Sequence, residues 1–250
     1  MRKKIFLIII TVSIILAGCG KSIPTNAVQQ EGQTTSVAAT TNSADTKSKA
    51  TTTPSSSKTE NNQNYSVLEA YKAVLQNKVN FFSQDNKKNV YLNDFLTNEE
   101  IYETIFKATR FTVLDLDGDK TPEVVLELSV GNNDPMCFEV LHYVNGAVYG
   151  CNIVYRGLEE LKADGTFMYS NGASDYGCGK LRFKSNACET DILGYCKSSE
   201  SNNGITISYF INNKPATEKS FNSFIQEERE KKDAAFYEFS QKNIETMTKY

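Results

Sequence analysis

The 250-residue sequence has no tryptophan and a single histidine, His142. One imidazole excludes paired-histidine zinc motifs and His-rich metal sites. A Ser-His-Asp or Cys-His site would have to use that one residue, and no Gly-x-Ser-x-Gly accompanies it. There is no Walker-type phosphate loop and no Gly-x-Gly-x-x-Gly fingerprint, so the common nucleotide-binding readings fall away. No Cys-x-x-Cys occurs, which weakens zinc and dithiol-motif readings. Positive charge is short as well. Residues 65–250 carry 20 basic and 27 acidic side chains, and the whole chain stands at −3. Nucleic acid is therefore not an expected partner, because its binding rests on clustered Lys and Arg neutralising phosphates.

No long hydrophobic run exists either. The longest, 5–16, follows Arg2, Lys3 and Lys4 and covers twelve residues. A transmembrane helix needs about 20. A basic start, a short apolar stretch and then small residues describe an export signal over 1–18. Leu16-Ala17-Gly18-Cys19 resembles the lipobox of bacterial lipoproteins at all four positions. The resemblance implies cleavage before Cys19, a diacylglyceryl thioether on its sulfur, and anchoring to membrane lipid on the extracytoplasmic face. Paired acyl chains hold where one is marginal, each buried methylene contributing about 0.8 kcal/mol.

Residues 20–64 lack any aromatic side chain, and 17 of these 45 are Ser or Thr. Such a segment cannot bury enough apolar surface to offset its ordering entropy, so a disordered tether is expected over 19–64. It would span roughly 35–40 Å as a coil. At Tyr65 the composition changes. All 13 tyrosines and 13 of the 14 phenylalanines lie in 65–250, a length suited to one core.

Within that domain Ser66 is placed to cap a helix carrying Val67, Ala70, Tyr71, Val74 and Leu75. Thr97 followed by Glu100 has the spacing of a capping box, with Ile101, Ile105 and Phe106 on the apolar face. From Phe111 the period becomes two, which predicts strands over 111–115, 123–130, 138–144, 147–155, 166–170, 180–184, 189–195 and 205–211. Asn145-Gly146 suits a type I′ hairpin turn, while Asp164-Gly165, Asn171-Gly172 and Asn203-Gly204 punctuate the rest. Thr217 or Ser220 opens a helix through Phe221, Phe224 and Ile225, and Ser240 opens a last one with Ile244 and Met247. The expected fold class is α+β, a mostly antiparallel sheet of hairpins with flanking N-terminal and C-terminal helices.

One segment carries distinctive chemistry, Asp115-Leu116-Asp117-Gly118-Asp119-Lys120-Thr121-Pro122-Glu123. Carboxylates recur at alternate residues, and the Thr121 carbonyl falls in the same series. Calcium takes six to eight oxygens, which alternate residues of a tight loop can supply. A bound cation also relieves the repulsion among three close aspartates. The alternative is an acidic hairpin turn that holds no ion. The stretch departs from an EF-hand, having Leu126 where the bidentate Glu would stand and strands in place of helices. It resembles instead the Asp-x-Asp-Gly-Asp-Gly calcium loop of FG-GAP repeats. The likeness covers 111–130 and implies Asp115, Asp117, Asp119 and Glu123 as calcium ligands, with Thr121 through its carbonyl. Lys120 replaces the second glycine. On a larger scale 65–250 resembles exported lipoproteins of low-GC Gram-positive bacteria, a likeness that brings no activity with it.

Five cysteines remain besides Cys19, namely Cys137, Cys151, Cys178, Cys188 and Cys196. Export permits disulfides, but an odd number leaves a thiol over. If Asn145-Gly146 is a two-residue turn, Cys151 faces Val140, about 10 Å along the strand from Cys137 and beyond bridging reach. Cys188 and Cys196 would lie about 26 Å apart on one strand. Free, partly buried thiols are expected, with a bridge from Cys178 to a strand cysteine as the alternative. His142 shares a strand face with Phe138, Val140 and Val144, which assigns it to packing.

The segment 169–179 reads as a loop of small residues with Tyr169 and Tyr176 in it. Tyrosine beside Gly, Ser and Asn is common in binding loops, although a long hairpin connection has the same composition. These features point to a non-catalytic surface module that binds a cell-wall component or another exported protein. The alternative is a carboxylate-dependent hydrolase of wall glycan, for which adjacent acids such as Glu159 and Glu160 are the minimum requirement.

Overall fold

A computed structural model describes residues 56–98, 104–131, 134–184, 187–202 and 204–247. The export signal, Cys19 and nearly all of the tether lie outside the described residues. No helix among those described is long and apolar enough to cross a membrane.

The fold is α+β with mostly antiparallel sheets. Helix α1 (Ser56–Leu75) leads into a small hairpin, β1 (Phe81–Ser83) and β2 (Lys88–Val90), and a short helix α2 (Leu92–Leu96). Then follow β3 (Lys107–Leu114), β4 (Glu123–Val130), β5 (Asp134–Val144) and β6 (Ala147–Val154). A 3₁₀ turn at Tyr155–Gly157 crosses to β7 (Thr166–Gly172), β8 (Asp175–Lys184), β9 (Ala187–Ser201), β10 (Gly204–Ile211) and β11 (Lys214–Ala216). Helix α3 (Glu218–Arg229), β12 (Tyr237–Glu238) and helix α4 (Gln241–Thr246) complete it.

The strands form a seven-stranded sheet in the order β12-β3-β4-β5-β6-β1-β2 and a five-stranded sheet in the order β11-β10-β9-β8-β7. The pairing of β1 with β6 is parallel, and the others are antiparallel.

Side-chain alternation sorts the core into layers, because successive strand residues point to opposite faces. On β4, Val124, Leu126 and Leu128 face a cluster with Tyr71 and Val74 of α1 and Ile244 of α4. Val125 faces the other way, joining Phe138 and Val140 of β5 and Phe167 and Leu181 of the second sheet. This middle layer is the seam between the sheets. On the far side of the second sheet, Phe221 and Ile225 of α3 pack on Met168, Cys178 and Cys196. A strand buried on both faces reads as a nearly continuous hydrophobic run, as β4 does.

The turn chemistry acts where expected. Val144 pairs with Ala147 across Asn145-Gly146, whose φ angles of 52° and 86° are those of a type I′ turn. Thr217 caps α3 by accepting from the Ser220 amide, and Ser240 caps α4 by accepting from that of Asn243.

Three expectations need correction. Helix α1 begins at Ser56, ten residues ahead of the Ser66 cap. Thr97 closes α2, its hydroxyl donating to the Asn93 carbonyl, while Glu100 and Ile101 of the expected second helix lie outside the described residues. Ile105 and Phe106, expected on that helix, are not helical; the Phe106 amide donates to the Leu96 carbonyl, and its buried ring joins the core just ahead of β3. The stretch 169–179 is no loose loop. Tyr169 pairs with Gly177 and Ser170 with Tyr176 in the β7–β8 ladder, which leaves only Ala173 and Ser174 at the bend.

Candidate metal centre and neighbouring clefts

The acidic segment bridges β3 and β4. Leu114 pairs with Glu123, so the antiparallel ladder closes beneath the loop and places Glu123 at the first position of β4. Leu116 plugs the loop into the seam between the sheets, with no exposed surface. Its amide donates to Glu123 Oε2 at 2.8 Å. Asp115 accepts from the amides of Gly118 and Lys120 at 2.6 and 3.0 Å, Asp117 from that of Asp119 at 3.0 Å, and Asp119 from that of Thr121 at 2.6 Å. These bonds curl the chain around its own carboxylates. Gly118 and Lys120 both take positive φ, 89° and 73°, so the lysine adopts a backbone conformation that glycine adopts at less cost.

Asp115, Asp117 and Glu123 each bring a carboxylate oxygen within 4.8 Å of the other two. That trio could hold a metal ion. Of the other two residues expected to ligate, Asp119 stands outside the trio, and Thr121 follows it with its amide turned to the Asp119 carboxylate. Burial, partly offset by the Leu116 amide, pushes the Glu123 carboxyl up to about 9, and the three aspartates add to the rise. Asp117 is raised as well, chiefly by burial. Converging carboxyls that resist ionisation are what a cation would relieve.

Two contributions to this site come from far along the chain. The Asp117 carboxylate accepts from the Phe183 amide on β8, and Lys180 Nζ lies close to the open side of Gly118. Neither is readable from the loop itself.

No family model, curated protein or solved structure matches the chain. Its chemistry must therefore be read from the remaining surfaces.

The tyrosines singled out in the sequence do share a cleft. Tyr169 and Tyr176, with Arg156, Ser170, Met168 and Arg229, line an opening of about 280 Å³. Arg156 donates to the Ser170 hydroxyl at 2.6 Å, and Tyr176 packs against Phe221. Burial raises both phenols above their ordinary value, Tyr169 to about 12. They are neutral hydroxyls at physiological pH.

A second cleft of about 250 Å³ holds Arg110, Glu127, Phe138, Tyr155, Glu160 and Phe236 among its lining. Glu127 and Glu160 are engaged. Burial favours the neutral form of Glu127, but hydrogen bonds from Arg110 and Thr109 outweigh that and hold the carboxyl below its ordinary value. Glu160 is bracketed by Lys162 at 3.9 Å and Arg229 at 3.4 Å. Glu160 is thus tied into an ion network shared with Lys162 and Arg229.

His142 is buried and stacked between Tyr149 and Phe183, the latter at 4.8 Å between ring centroids. All five described cysteines are free thiols.

Proposed function

We propose that this protein is a lipid-anchored module on the extracytoplasmic face of a bacterial membrane. In this reading, calcium stiffens the β3–β4 loop, and the domain binds a cell-wall component or another exported protein. The observation that carries the calcium reading is the convergence of Asp115, Asp117 and Glu123 at a strand junction. Hard oxygen donors in a flexible loop suit calcium better than transition metals, which prefer nitrogen or sulfur ligands. An affinity near 10⁻⁴ to 10⁻³ M is that of extracellular modules. The anchor rests on the basic start, the short apolar run and Leu16-Ala17-Gly18-Cys19. The binding role is supported by the tyrosine-lined cleft, which offers flat aromatic surface beside two guanidinium groups.

Calcium titration of the melting temperature tests the centre. At tenfold saturation the linkage amounts to about 1.4 kcal/mol. The parent protein is expected to melt higher with calcium and lower with chelator, and Asp117→Ala to abolish that response. An unresponsive parent, or an equal shift in the variant, removes the ion. For the anchor, Cys19→Ala is expected to accumulate as an unlipidated precursor; normal maturation of the variant contradicts it.

A further inference from the structure

The five described cysteines divide among three layers. Cys137 packs on the helix side of the large sheet, and Cys178 and Cys196 pack beneath α3. Cys151 and Cys188 alone among them share the seam where the two sheets meet. Cys151 stands on β6 opposite Val140, and Cys188 stands on β9 opposite Phe183. Their side chains meet across the seam, close enough for one thiol to hydrogen-bond the other. Around them lie Phe138, Val140, Leu181 and Phe183, all apolar. Nothing in the sequence links positions 151 and 188, which lie on different sheets 37 residues apart.

We propose that Cys151 and Cys188 form a reversible disulfide that ties the two sheets together, with a low-molecular-weight or protein disulfide as the oxidant. Cys188 is part-exposed and Cys151 is buried, so the order of events follows from access. The Cys188 thiolate attacks one sulfur of the external disulfide, RSSR, forming a mixed disulfide and releasing RS⁻. The Cys151 thiolate then attacks the Cys188 sulfur and releases the second RS⁻. The protons lost by the two cysteines end on the two departing thiolates. Two protein thiols plus RSSR thus give one protein disulfide plus two RSH. The hydrogen bond with Cys188 and then burial raise the Cys151 thiol well above its ordinary value, so Cys151 rests protonated before oxidation. The dithiol form is therefore quiet until a disulfide reaches Cys188. The bond would join strands that are otherwise held only by side-chain packing, and closing a long loop restricts the unfolded chain.

The full chain is equilibrated with excess oxidised glutathione, both as folded protein and during refolding of reduced protein from urea. It is then acid-quenched, alkylated under denaturing conditions, and mapped by fragmentation mass spectrometry. The expected result is protection of two of the five domain thiols, a Cys151–Cys188 linked fragment, and a higher melting temperature reversed by dithiothreitol. Cys151→Ser and Cys188→Ser should each lose the link and the melting shift, whereas Cys137→Ser should keep both. Five alkylated thiols after both routes, or a link joining other cysteines, overturns the proposal.

Discussion

Gly165 stands against the backbone of Leu116: a methyl group on its Cα would lie 2.6 Å from the Leu116 carbonyl oxygen. The Asp164-Gly165 turn thereby clamps the acidic loop from the side of the second sheet. Its φ of 83° adds a conformational penalty for any other residue. Gly165→Ala is expected to destabilise the protein by about 2–4 kcal/mol, combining left-handed strain with a backbone clash. Gly146→Ala is the matched control, since Gly146 also has positive φ, 86°, but nothing within 4 Å of the added methyl. That variant should lose only about 1 kcal/mol. Urea unfolding of both separates the two causes; equal losses would mean that the Leu116 contact is soft.

This contact also marks where local reading stops. The eight main strands were legible because alternation and the Asn-Gly and Asp-Gly punctuation are local signals. All eight are present, most of them longer than the expected spans. The caps at Thr217 and Ser240 were legible for the same reason. The capping-box spacing at Thr97 overreached at its far end, Ile105 and Phe106, because it does not say whether later residues are needed elsewhere. Phe106 is needed in the core. The glycines of 169–179 misled in the opposite sense. Gly177 is small so that the Tyr169 ring and the Gly194 carbonyl can close on it, not so that the chain can bend. At the candidate metal centre the carboxylates of Asp115, Asp117 and Glu123 were visible as a spacing. The Phe183 amide and Lys180 were not, because tertiary packing delivers them from β8.

Lys120 holds φ at 73° in the turn where the resembling calcium loops have glycine. Releasing that strain stabilises the folded state by about 1–2 kcal/mol, and the added freedom of glycine in the unfolded chain takes back about 0.5–1 kcal/mol. Lys120→Gly should therefore raise stability by roughly 0.5–1 kcal/mol. It also removes a positive charge next to Asp119, so calcium should bind more tightly. Unfolding curves with and without calcium measure both effects, and a variant less stable than the parent in both conditions contradicts the first.

Glu139 is a carboxyl with no exposed surface, and its Oε1 makes no hydrogen bond. Burial raises its pKa well above the ordinary value, Asp85 adds to the rise, and a bond from Asn152 Nδ2 only partly offsets it. A carboxyl whose folded pKa is raised contributes stability that is complete below the unfolded value of about 4.5 and is lost as pH climbs towards the folded one. Glu139→Gln keeps the acceptor for Asn152 without the ionisation. The variant should gain on the parent above pH 4.5 by up to about 1.4 kcal/mol per pH unit. A stability difference that does not change between pH 5 and 8 would show that Glu139 stays ionised.

His142 gives the opposite slope. Burial between Tyr149 and Phe183 lowers its pKa to about 4 from an ordinary 6.5, although the Lys184 carbonyl favours the charged ring. The folded state thus prefers neutral imidazole, with Nε2 facing the Lys184 carbonyl at 3.3 Å. Its stabilising contribution is complete above pH 6.5 and drains away as pH falls towards 4, amounting to about 3 kcal/mol over that window. As the chain holds one histidine, a single imidazole proton resonance reports it directly. The resonance should stay at its neutral shift down to near pH 4 and move only with acid unfolding. His142→Gln should flatten the stability profile between pH 6.5 and 4. A titration midpoint near 6.5 in the folded protein would mean that water reaches the ring, and that the seam between the sheets opens on this side.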